Sequence, residues 1–265
     1  MLITLVLALL AGLALAMTAA WVIVIQTGKS GWVDVFWSYA IGIAGVAAAL
    51  FPIDDAEPFN TRRWLVAAIV AVWALRLGTH IMLRTLKGGD DPRYAQLRQD
   101  WGASYRGKLL GFLLIQAAVG FVLALCVLIA AHSPAPLGLQ DALGVLVALA
   151  AIIGEGISDA QLTAFKRDPA NKGKVCDTGL WSLSRHPNYF FEWLAWVAYP
   201  VIAIGSWWAI AACAAPVLMY WLLVKVSGVP PLEAHMLRSR PEAFSAYQRR
   251  VRPFWPFPKT SEVAR

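Results

Sequence analysis

The chain has 265 residues, of which 59% are apolar and only 15% charged, with a net charge of +7. Soluble domains carry about 25% charged residues, so this composition excludes an ordinary soluble domain, a disordered chain and a disulfide scaffold. It fits an all-α integral membrane protein, and the continuous Ala-, Leu- and Gly-rich runs lack the alternation of a membrane β-barrel.

A spanning helix needs about 20 apolar residues. The pattern predicts seven, at 2–25, 34–51, 64–86, 109–131, 137–158, 187–204 and 207–226. The first lies in an uncharged stretch with no basic start, which reads as a retained helix and not a cleaved leader. The charge-free run from Trp193 to Val224 is too long for one helix, and Gly205-Ser206 is its expected break. Residues 233–258 mix bases with Phe244, Tyr247, Phe254 and Trp255 and read as an interfacial tail on the membrane. Cys126, Cys176 and Cys213 are widely separated, so neither a disulfide nor a metal site is expected.

The 23 Lys and Arg residues sort by side. Nineteen fall after spans one, three, five and seven; only Arg62 and Arg63 fall opposite, and Arg76 and Arg84 lie within span three. The positive-inside rule then predicts an outside N-terminus and a cytoplasmic C-terminus, in keeping with a bacterial inner-membrane location. The excess of bases is a topological signal, and nucleic acid is not an expected partner.

Ionisable residues inside spans are costly and point to function. Arg76, His80 and Arg84 recur every four residues on span three, so they share a helix face. Glu155 and Asp159 close span five, Asn188 and Glu192 open span six, and Asp34 and Trp37 open span two. These stripes predict a polar cavity facing the cytoplasm. Residues 166–185 hold five bases and two acids and lead into Arg185-His186-Pro187-Asn188-Tyr189. Pro187 suits a first helical turn, whose N–H groups beside Lys166, Lys174 and Arg185 would suit phosphate. The expected ligands are a large anionic cofactor from the cytoplasm and an apolar partner from the bilayer.

The run Leu183–Glu192 resembles the steroid 5α-reductase-like membrane reductases, in particular a bacterial branch long catalogued as a domain of unknown function. Trp32–Trp37, Leu75–His80 with Arg84, Gly89–Tyr94, Ser227–Glu233 and the Phe254–Pro258 ending resemble further pieces of that branch. The resemblance implies a seven-helix fold, NADPH as cofactor, and reduction of a carbon–carbon double bond conjugated to a ketone in a steroid-like or other lipid enone. Matching positions place Arg93, Asp159, Lys166, Lys174, Asn188, Tyr189 and Glu192 around the cofactor. Arg84, Arg185 and His186 are expected beside them, and Trp32 and Trp37 beside the substrate. The animal enzymes grip the ketone with a Glu of span two and a Tyr of span three; here Ile81 stands at the Tyr position and span two has no Glu. His80 and Asp34 are therefore the expected catalytic donors. No GxGxxG fingerprint follows a strand, so a Rossmann cradle is excluded.

The Arg-His-Pro-x-Tyr turn also resembles S-adenosylmethionine-dependent membrane methyltransferases of the isoprenylcysteine type. That cofactor has a cationic sulfur and no phosphate, so it gives no reason for so basic a loop. A channel or transporter would explain the intramembrane charges, but not the basic Gly-containing loop at a helix start.

Overall fold

The computed structural model describes residues 1–53, 60–88 and 92–257. Gly89, Asp90, Asp91 and Pro258 of the motifs above lie outside the described residues. All regular secondary structure among those described is helical, apart from one isolated bridge between Ser184 and Arg252. The chain divides into two compact units, Met1–Val145 with Val197–Ala215, and Leu146–Trp196 with Pro216–Arg265.

In the first unit, α1 (Leu2–Thr27), α2 (Gly31–Leu50), α3 (Thr61–Leu86) and α5 (Tyr105–Ala131) pack together, with the short α4 (Pro92–Trp101) before α5. On α1 the buried side chains Leu5, Leu9, Leu13, Met17, Ala20 and Val24 recur every three or four residues, which makes one helical seam. Gly28, at φ 71°, ends α1 by returning its N–H to Val24 O at 2.8 Å. Small residues bring α2 and α3 together: a Cβ on Gly42 would stand 2.2 Å from Ala74 Cβ, and one on Gly45 2.7 Å from Val70. Close backbone approach through small residues is how helices associate where lipid supplies no hydrophobic drive.

Arg62 and Arg63 were expected as bases in an outer loop; both are instead buried. Asn60 caps α3, its Oδ1 accepting from Arg63 N at 3.1 Å. Arg62 places all five N–H groups: Nε and Nη2 on the Asp141 carboxylate at 2.7 and 2.8 Å, the rest on the carbonyls of Ser133, Ala135 and Pro136. It thereby binds the turn between α5 and α6 (Leu139–Arg167) to the start of α3. Arg63 donates to the carbonyls of Ala49 and Leu50, which close α2.

The second unit holds most of α6, the loop to α7 (Pro187–Ile202), α7 as far as Trp196, and the chain from Pro216 of α9 (Ala214–Trp221) onward, with α10 (Val229–Ser239) and α11 (Pro241–Arg250). The short α8 (Ala209–Ala212) belongs to the first unit. The expected fifth span stops at 158, whereas α6 continues to Arg167 because Ser158 to Phe165 keeps a helical pattern. A π-turn over Leu222–Val226 leads to Gly228, where a Cβ would meet Leu223 O at 2.3 Å.

Six helical stretches among the described residues are long and apolar enough to cross a membrane: α1, α2, α3, Arg93–Ala131, α6 and Ala209–Ser239. The expected sixth span, 187–204, corresponds to α7, which has 16 residues. At 1.5 Å per residue that is about 24 Å, short of the roughly 30 Å hydrocarbon core. Pro200 lies near its end and Gly205, at φ 90°, turns the chain beyond it, close to the expected break.

Because Arg62 has no access to water, removing its counter-charge leaves a buried cation uncompensated. Asp141→Leu is expected to cost about 3–5 kcal/mol, read as a fall in Tm of the detergent-solubilised protein; a change below 1 kcal/mol would mean that the carbonyl bonds alone hold Arg62.

Candidate functional site

The basic loop of the second unit is folded back on α6. Asp168 accepts from Ala170 N at 2.9 Å and Asn171 Nδ2 donates to Phe165 O at 3.1 Å, which turns the chain at the end of α6. Gly179, at φ 60°, sits against Gln161, whose Oε1 accepts from Leu180 N at 3.0 Å. Trp181 Nε1 donates to Ser158 O at 3.0 Å. Only a residue without Cβ fits at Gly179, both for its backbone angle and because a Cβ would stand 2.6 Å from the Gln161 amide.

The loop then meets the C-terminal segment. Arg185 N donates to Arg252 O at 2.9 Å, and Ser184 Oγ to Phe254 O at 2.8 Å. The Arg185 guanidinium grips both Glu233 oxygens, at 2.7 and 3.0 Å, and also donates to Val251 O. His186 Nε2 lies 3.0 Å from Glu233 Oε1. Tyr247, also buried, donates to the carbonyls of Trp181 and Ser184. Phe190, Trp193, Tyr220, Phe254 and Trp255 pack edge to face beside this junction.

Four side chains of the segment expected as an interfacial tail, Phe244, Tyr247, Val251 and Phe254, are buried within the second unit. Basic and aromatic residues alternate both in interfacial segments and in segments packed on protein, so the sequence pattern alone does not separate the two. Arg185 and His186, expected among the cofactor-binding residues, both contact Glu233.

Burial alone would raise the Glu233 carboxyl. Hydrogen bonds from His186 and Arg185 outweigh it and hold the group at about 2. Burial lowers the His186 imidazole below its ordinary 6.5, against the upward pull of Glu233. The imidazole is therefore neutral at pH 7 and donates from Nε2.

Past this clamp the polar side chains of α7 begin. Asn188 and Tyr189 are half-buried, with the Tyr189 ring stacked on His186 at 5.4 Å and 9°. Glu192 is buried, its Oε1 accepting from Trp196 Nε1 at 3.0 Å one turn on. Asp159 is half-buried on α6, and Lys166, Lys172 and Lys174 are exposed around the loop. Ammonium groups, an amide, a phenol and two carboxylates beside a helix start combine donors of the kind that meet phosphate with acceptors of the kind that meet a polar head.

The remaining expected residues belong to the first unit. Asp34 accepts from Arg93 Nη2 at 2.7 Å, so the structure shows this carboxylate as an acceptor, where a donor to substrate was expected. Trp37 Nε1 donates to Gln116 O at 3.2 Å, and its ring meets Trp73 edge-on; Trp32 is half-buried. Arg76 and His80 are half-buried, while Arg84, in the last turn of α3, is exposed. Sequence reading missed one polar pair here. Tyr39 of α2 and Thr79 of α3 share a hydrogen bond at 2.9 Å, and the Tyr39 ring lies on Gly78, where a Cβ would meet it at 2.9–3.0 Å. Gly78 directly before Thr79 and His80 was the available signal.

A protein-family model described as "Protein of unknown function (DUF1295)" matches residues 20–251. The chain belongs to that family. No match was found among curated proteins or among solved structures. The matched span includes the loop, the clamp residues Arg185, His186 and Glu233, and the polar start of α7.

Since both clamp groups have lowered pKa values, the stability they contribute is fully present above about pH 6.5 and declines as pH falls, first through His186 and then through Glu233. The protection factors of residues 240–254 against hydrogen exchange, taken relative to the intrinsic amide rate at each pH, are expected to fall between pH 7 and pH 4, and to be low already at pH 7 in Glu233→Gln. A pH-independent protection factor in the unaltered protein would rule out this clamp.

Proposed function

We propose that the protein is a seven-span, NADPH-dependent membrane reductase that saturates the double bond of a hydrophobic enone, a 3-oxo-Δ4-steroid or a lipid of like chemistry, from the cytoplasmic side of a bacterial inner membrane. The observation that carries the reading is the basic, back-folded loop held against the start of α7, with Asn188, Tyr189 and Glu192 on the first turns beyond it. Its likeness to the steroid 5α-reductase-like reductases supplies the reaction class.

When bound, NADPH would supply a hydride to the carbon β to the ketone. The residues of the chain do the rest. Lys166 and Lys174 meet phosphate as point charges, without the bidentate geometry of arginine. Asn188 and Tyr189 orient the polar part of the nucleotide, and Glu192, held by Trp196, accepts from it. Reduction builds negative charge on the ketone oxygen, so a donor must be aimed there beforehand. His80 is one such donor.

The Tyr39–Thr79 pair is a second. It has two hydroxyl protons and one mutual bond, so one proton remains to donate. With Asp34 engaged by Arg93, these two donors carry the ketone assignment.

The methyltransferase reading shares only the turn before α7. Isothermal titration of the detergent-solubilised protein with NADPH and with S-adenosylmethionine separates the two, and binding of S-adenosylmethionine alone would overturn the reductase. Asn188→Ala is expected to weaken NADPH binding at least tenfold at unchanged Tm. His80→Ala and Tyr39→Phe are each expected to lower kcat by about 10²–10³ with cofactor affinity retained. If both variants turn over at the parental rate, the ketone is held by other groups.

A further inference from the structure

At the C-terminal end of α1, a crevice of about 190 Å³ is lined by Val24, Ile25, Gly28, Arg98, Tyr105 and Arg106. Three features make it a site and not a surface irregularity. Tyr105 is 8% exposed, and its buried hydroxyl has no hydrogen-bond partner among the described residues. A buried hydroxyl without a partner costs about 1–3 kcal/mol, which a bound acceptor would relieve. Tyr105 is also the first residue of the 27-residue α5, which continues directly from the preceding 3-10 turn, the Tyr105 backbone N–H closing on Gly102 O.

Two arginines complete the charge. Arg98 lies over the Tyr105 ring at 5.2 Å and reaches Gly28 O at 3.4 Å; Arg106, next along the helix, has its carbonyl fixed by Trp21 Nε1 at 2.8 Å. The side chains of Arg98 and Arg106 are exposed, as are Lys29 and Lys108 nearby in sequence. Asp100, on the same short helix as Arg98, is engaged by Gln96 at 2.8 Å.

The wall formed by Val24 and Ile25 decides which anion fits. Both belong to α1, a candidate spanning helix that leaves Leu7, Leu10, Leu15 and Val22 exposed. The crevice therefore opens beside a lipid-facing helix, at the level where α1 ends and α5 begins. Cationic recesses at that depth suit lipid phosphates with an acyl chain alongside.

We propose that Arg98, Arg106 and the Tyr105 hydroxyl bind the phosphate of an anionic phospholipid, whose acyl chain lies along α1 over Val24 and Ile25.

Native mass spectrometry of the full chain, released from detergent with equimolar phosphatidylglycerol and phosphatidylcholine, tests it. Phosphatidylglycerol adducts are expected to exceed phosphatidylcholine adducts at least fivefold. The doubly substituted Arg98→Gln/Arg106→Gln protein is expected to lose that preference at unchanged Tm in phosphatidylcholine. Tyr105→Phe, which removes only the hydroxyl, is expected to halve phosphatidylglycerol occupancy or more. Millimolar inorganic phosphate is expected not to compete; full competition would reassign the site to a soluble anion. Equal occupancy by the two lipids, or a preference that survives the double substitution, would overturn the proposal.

Discussion

A charge placed in an apolar medium must find a counter-charge or a set of dipoles, and this constraint organises the fold. Burial of an ion costs several kcal/mol even after relaxation, so each buried arginine here has a fixed set of acceptors. Arg62 joins the start of α3 to the turn before α6 through Asp141 and three carbonyls. Arg63 takes the carbonyls that α2 leaves open at its end. Arg185 does the equivalent in the second unit, joining the residues before α7 to α10 and to the carbonyl that follows α11. Residues that look like ordinary loop bases thus serve as fasteners between segments far apart in sequence.

The Arg185–Glu233–His186 cluster has a consequence for the proposed chemistry. By taking Glu233, it fixes the direction from which the chain enters α7, and the stacked Tyr189 ring extends that order by a turn. A helix start held in this way keeps its N–H groups in a constant orientation, which is what prepositioned phosphate binding requires. In the proposed reading Arg185 and His186 are therefore positioning residues, and the exposed lysines of the loop carry the direct phosphate contact.

The helices were legible because a spanning helix must satisfy its own backbone and face lipid with apolar side chains. Composition and length alone locate α1, α2, α3 and α5 to within a few residues. Two features were not legible. The expected sixth span is short because Pro200 and Gly205 close α7 early, a local backbone effect that hydropathy averages away. The tail reads as interfacial because Phe244, Tyr247 and Phe254 alternate with bases; only the partner surface, including Ser184, Arg185 and the aromatic cluster around Trp193, shows that these side chains face protein. At the site, the turn into α7 was visible as Arg-His-Pro-Asn-Tyr, but the direction of Arg185 depends on Glu233, 48 residues later. The Tyr39–Thr79 bond likewise pairs residues on different helices, and neither stands out in a chain of 12% aromatic residues.

The most direct test of the reductase is NADPH consumption by the purified full chain against a panel of enones that includes progesterone and testosterone, with the product's double bond and stereochemistry determined. The account predicts enone-dependent oxidation of NADPH and a saturated ketone as product. Absence of oxidation across the panel, with S-adenosylmethionine bound in place of NADPH, would contradict it.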